Sequence, residues 1–315
     1  MPVSSHLSNS HLSNSQLSNS QLSTPPLSTP PISTPQLSIR TACSAADARS
    51  YIAHQYATYP FRLSSNLRLD PADSQQVYAY VMNASPGILS GDDLRWSVEV
   101  GDRTSLYLTD QSATKVYSKP PGGQTAKVAG LVQVGAGAYL EYVPEPVILF
   151  SAADVTQRLD VRLHPEGRLV LSEIVVPGRL ARGECYAFET FQSWLQIEGF
   201  DRQLRFVENF RLVGQTSRFR KSKFRICWPI TATFVVIFPG LPLNQLSQAL
   251  QLYIDEQGSL QSDSLQACDS PLPNCHGLWI RAIATQVSVL KDYQRHILNT
   301  VRRLSGQPPL PIISK

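Results

Sequence analysis

The sequence predicts a mainly β fold with two α-helices near its C-terminal end. Three observations carry this: apolar residues recur at every second position through most of the chain after Ser74, turn residues break the pattern at short intervals, and only two late stretches keep helical spacing. The 315 residues include 42 % hydrophobic side chains, enough to bury a large core and to exclude global disorder.

The first forty residues stand apart. They hold twelve serines and no charged side chain before Arg40, and Leu7, Leu12, Leu17, Leu22, Leu27, Ile32 and Leu37 recur every five positions, each followed by Ser. A period of five matches neither helix nor strand, so no continuous apolar face forms. Prolines at 25, 26, 30, 31 and 35 add to this by removing donors and fixing φ. Residues 1–40 therefore read as a low-complexity disordered tail, and 41–315 as one β-rich domain.

Within that domain Leu94, Trp96, Val98 and Val100 alternate with Arg95, Ser97 and Glu99, and Val155, Leu159, Val161 and Leu163 alternate with polar neighbours. Each is a half-buried strand. Similar signals fall at 75–81, 105–109, 126–134, 139–143, 168–174, 191–197, 203–209 and 231–238. Turn chemistry separates them at Gly101-Asp102, Pro121-Gly122-Gly123, Gly135-Ala136-Gly137 and Pro165-Glu166-Gly167. Helical spacing then appears over 243–255 and again over 279–304, where Ile280, Ile283, Val287, Leu290, Tyr293, Ile297, Val301 and Leu304 would form one stripe.

Compartment and charge narrow the function classes. No apolar run approaches the ~18 residues that cross a bilayer. The Ser/Leu/Asn beginning lacks the basic start and apolar block of a secretory signal, and five cysteines form an odd set, so a reducing cytoplasm is expected. Net charge is +4, much of it from Arg218, Arg220, Lys221, Lys223 and Arg225. A nucleic-acid patch is the alternative reading of this segment, and a charged edge that discourages sheet pairing is the preferred one.

The search for chemistry yields no enzyme signature. Lys119 to Thr125 is glycine-rich but lacks the Lys-Ser/Thr ending of a phosphate loop, and no Gly-x-Ser-x-Gly elbow is present. Cys268, Cys275 and His276 form a loose group of soft ligands without Cys-x-x-Cys spacing, a weak metal candidate only. What remains is a set of carboxylates beside glycines or inside apolar runs: Asp92, Glu141, Glu173, Glu184 and Glu208. A carboxylate flanked by strand hydrophobics must find a cation, donors or water.

At these residues the sequence resembles the urease accessory protein D family. Four blocks carry the likeness in order: Ser85-Pro86-Gly87-Ile88-Leu89-Ser90-Gly91-Asp92, Thr109-Asp110-Gln111-Ser112-Ala113-Thr114-Lys115-Val116-Tyr117, Leu140-Glu141-Tyr142-Val143-Pro144-Glu145-Pro146-Val147-Ile148-Leu149-Phe150, and Glu173-Ile174-Val175 on to Gly178-Arg179-Leu180-Ala181-Arg182-Gly183-Glu184. Ser85-Pro86, Asp110 and Pro177 depart from the family pattern, and the tail and basic segment have no counterpart in it.

The resemblance implies a β-helix-like or β-sandwich body with a pair of helices, and a non-enzymatic role. Such proteins act as chaperones in nickel insertion, binding the urease apoprotein, the accessory F protein and, through it, the GTPase G protein. A tunnel is proposed to carry Ni²⁺ in transit, with no tightly bound cofactor. Weak oxygen ligands suit a conduit, since a His/Cys cage would not release nickel. On this reading Asp92, Thr114, Glu141, Glu173, Glu184 and Glu208 line or gate the path, with Lys115 and Arg182 as counter-charges.

Overall fold

Alternation decides which way each strand faces, and two sheets result. The computed structural model describes residues 34–64, 66–70, 75–214, 228–260 and 264–311. From one edge, the first sheet runs Leu204–Val213 (β14), Thr190–Gly199 (β13), Asp154–Leu163 (β11), Ala126–Val134 (β8), Asp93–Val100 (β5), Leu37–Cys43 (β1) and Ser50–Ala57 (β2). The second runs Leu265–Pro271 (β16), Gly277–Ala284 (β17), Ile230–Ile237 (β15), Arg168–Val176 (β12), Tyr139–Tyr142 (β9), Ser105–Asp110 (β6), Val77–Asn83 (β4) and Phe61–Leu63 (β3). Two short strands, Thr114–Val116 (β7) and Val147–Leu149 (β10), pair in parallel and join the second sheet through β12.

The chain winds between these sheets. From β5 to β13 it visits them alternately, so β5, β8, β11 and β13 are parallel neighbours on one side, and β6, β9 and β12 on the other. The body is thus β-helix-like and flattened into a sandwich, and antiparallel strands finish its ends. The predicted turns are the crossings. They stack on one another: the Arg103 amide donates to the Ala136 carbonyl at 2.8 Å, and Asp102 Oδ1 accepts from the Ala136 amide at 2.8 Å.

Two apolar layers follow. Val98, Val132, Val155, Val161 and Ile197 of the first sheet meet Leu106, Leu140, Leu169 and Val235 of the second. On the other face of the second sheet, Tyr139, Ile174, Phe234 and Ile280 are covered by Leu246 and Leu250 of one helix, Leu243–Leu260 (α1), and by Leu290, Tyr293, Ile297 and Val301 of another, Val287–Leu304 (α2). Ile230–Ile237 is buried on both faces for this reason, which explains why its sequence is a continuous apolar run. Among the described residues no helix is long and apolar enough to cross a membrane.

Two sequence-based boundaries are corrected. β1 begins at Leu37, inside the stretch read as tail, because Leu37 and Ile39 alternate into the core and β1 pairs with both β2 and β5. The helix expected over 279–304 starts only at Val287. Ile280 and Ile283 fit helical spacing, but Leu278, Ile280, Ala282 and Ala284 also alternate, and β17 fills the ladder between β15 and β16. The basic segment from Arg218 to Arg225 lies outside the described residues.

Candidate functional site

The inter-sheet core does not close completely, and a cavity of about 360 Å³ opens between the two sheets. Strand period places its walls. Gln157 with Leu159 on β11, Ser193 with Leu195 on β13, and Leu171 with Glu173 on β12 are each two residues apart and share the inward face. Trp96 and Tyr142 meet across the gap, ring centroids 5.2 Å apart. Three segments of the resemblance blocks also line it, namely residues 85–88, 112–115 and Pro144, Glu145 and Val147, and the exposure of Pro86, Ser112 and Lys115 puts the mouth here.

The mouth is tightly built. The Ile88 amide donates to the Lys115 carbonyl at 2.8 Å and the Thr114 amide to the Pro146 carbonyl at 3.0 Å. Gly87 permits this approach, since a Cβ there would stand 2.3 Å from the Lys115 oxygen. Thr114 and Lys115 both border the opening, and Lys115 is exposed.

Deeper in, Glu173 is the central ionisable group. Its Oε1 accepts hydrogen bonds from Gln157 Nε2 at 3.0 Å and Ser193 Oγ at 3.1 Å. Removal from bulk water pushes its pKa up to about 7, and the charge of Glu208 adds to the rise against the opposing pull of the Ser193 hydroxyl and Arg281. Glu208 also lines the cavity. It is ion-paired with Arg281 of β17 and accepts from Trp279 Nε1 at 3.4 Å, and burial raises its pKa as well. A carboxylate poised near neutrality, with a second one beside it, can exchange a proton for a divalent cation without the grip of soft ligands.

The remaining predicted residues stand elsewhere. Asp92 is not in the cavity wall: its Oδ2 accepts from the Leu89 amide at 2.8 Å and completes a turn. Glu141 faces the helices, not the cavity. It is fully buried and paired with the equally buried Arg302, and it also accepts from Tyr139 Oη and Gln76 Nε2, each at 2.8 Å. Burial opposes the charge of Arg302, yet Glu141 outweighs it and holds the guanidinium pKa above its usual value. Glu184 bonds Arg179, with Nε to Oε2 at 2.8 Å, and accepts from the Ser151 amide, whereas Arg182 is exposed on the 3₁₀ turn Leu180–Arg182.

In place of the expected counter-charges, Arg302 and Arg281 meet their carboxylates through register and packing across long sequence separations, and Arg179 meets Glu184 five residues on. No local signal marks Arg281 or Arg302. Cys268 is exposed, Cys275 is half-buried and His276 Nε2 bonds the Leu241 carbonyl at 2.7 Å. Among the described residues, no three His, Cys, Asp or Glu side chains are grouped to hold a metal.

Comparison with known proteins identifies the family. The profile of the UreD urease accessory protein matches residues 34–315. Urease accessory protein UreD of Trichodesmium erythraeum is 38 % identical over 277 residues, 88 % of this chain and 98 % of that protein. UreD of Haloarcula marismortui is 31 % identical over 76 % of this chain and 77 % of its own. Urease accessory protein D of Arabidopsis thaliana is 25 % identical over 83 % and 95 %. With the match spanning the whole winding body and both helices, the chain belongs to the UreD urease accessory protein family.

Proposed function

We propose that this chain is a cytoplasmic, non-catalytic chaperone of urease maturation that passes Ni²⁺ toward the urease apoprotein while bound to the accessory F and G proteins. The observation that carries the reading is the cavity between the sheets, with Glu173 and Glu208 in its wall and the resemblance blocks around its mouth. Nickel is cargo here: oxygen donors bind it weakly enough to release it, and a carboxylate with a pKa near 7 trades a proton for the ion at cytoplasmic pH. Thr114, Glu173 and Glu208 are the path residues this supports. Asp92, Glu141 and Glu184 serve the turn, the helix anchor and the Arg179 clamp.

The test is an activation assay with purified apoprotein and accessory proteins. Glu173→Ala lowers the nickel content of urease while capture of the F protein persists. Full nickel loading by a correctly folded Glu173→Ala protein sinks the conduit reading.

A further inference from the structure

One helix grips one short segment twice. Lys291 Nζ contacts both carboxylate oxygens of Glu145, at 3.1 and 2.9 Å, and Arg302 holds Glu141. The spacing suits a helix lying along a strand: eleven residues of α2 span about 16 Å, and the four residues from Glu141 to Glu145 span about 13 Å when extended. The Arg302 end cannot shift easily. Its guanidinium is fully buried, and between the two grips Gln294 Nε2 donates to Ser172 Oγ at 2.8 Å, with Leu290, Tyr293 and Ile297 buried beside it.

The Lys291 end is different, because it meets the mouth. Glu145 lines the cavity, its amide donates to Asp110 Oδ2 at 3.2 Å, and the next carbonyl accepts from Thr114. Whatever fixes Glu145 therefore also fixes the Asp110 to Lys115 wall opposite. The Glu145 side chain is 12 % exposed and that of Lys291 42 %, so the pair is half-buried and partly screened, and its loss shifts an opening equilibrium modestly. We propose that Lys291 is a positioning residue for the cavity mouth: from a helix anchored on the outer face of the sheet, it holds the Glu145 segment in place and sets how readily the mouth opens. What passes the mouth rests on the nickel reading above; the gating is tested without metal.

The reporter is Thr233→Cys on the cavity wall, alkylated by iodoacetamide in the full-length protein and quantified by fragment-ion mass at residue 233, which separates it from Cys227, Cys268 and Cys275 on the same tryptic peptide. With Lys291→Met, labelling accelerates about fivefold as the mouth opens locally more often, and Lys291→Arg restores the slow rate. Equal rates with and without Lys291→Met overturn the proposal, and so does acceleration that Lys291→Arg fails to reverse. If Lys291→Met does not fold, Glu145→Gln is read by the same criterion for acceleration. The conduit reading is judged separately, by nickel loading through the Glu173→Ala protein, so accelerated labelling with full loading there leaves the mouth tether standing and removes only the conduit.

Discussion

Glu173 binds its proton more tightly in the fold than in the unfolded chain, since burial lifts its pKa from 4.5 to about 7. The stabilisation from the protonated form is complete below the unfolded value and is lost as pH rises through about 7. Wild-type stability therefore declines between these limits by at most about 3 kcal/mol from this group. Glu173→Gln removes that slope, which urea denaturation at several pH values measures directly. Glu141 matters through its partner. Glu141→Ala leaves Arg302 buried without its partner and costs about 3–5 kcal/mol of stability, visible as a lowered denaturation midpoint before any effect on metal transfer. In sequence the two glutamates look alike, each flanked by strand hydrophobics, so both were legible as buried carboxylates needing partners. Which face each one takes depends on what covers the second sheet, and that is set by helices far along the chain.

At the scale of elements, the resemblance blocks are loops and short strands that only gain meaning together. Block one touches block two through Ile88 and Lys115, and block two touches block three through Thr114 and Pro146. Gly87→Ala forces the Lys115 carbonyl away and costs about 1–3 kcal/mol as overpacking, with faster amide exchange at Ile88 and Tyr117 as the local signature. The strands themselves were legible because period two marks a half-buried surface. β17 was not, since Ile280 and Ile283 fit helical spacing while period two keeps Ile280 and turns Ile283 to the other face, and only pairing with β15 and β16 decides between them. Within α2 the helical stripe was legible. Ile297→Ala opens a cavity under it, costs about 2–5 kcal/mol, and is checked by thermal unfolding.

Across the whole molecule, the winding body begins at Leu37 and the family match at residue 34. A protein starting at Thr34 keeps the melting midpoint of the full chain, and one starting at Ser44 loses β1 from between β2 and β5 and melts lower, as calorimetry would register. The cavity was not legible in sequence, because no single strand shows that two inner faces fail to fill the space between them. The buried pair of Glu141 and Arg302 also has a meaning in time. The two residues lie 161 positions apart, so a chain leaving the ribosome deposits a carboxylate in the middle of its sheet long before the matching guanidinium exists. Until α2 is synthesised, that carboxylate lacks its cation and opposes closure of the layer around it, so the arrival of α2 is what lets the earlier turns of the coil settle.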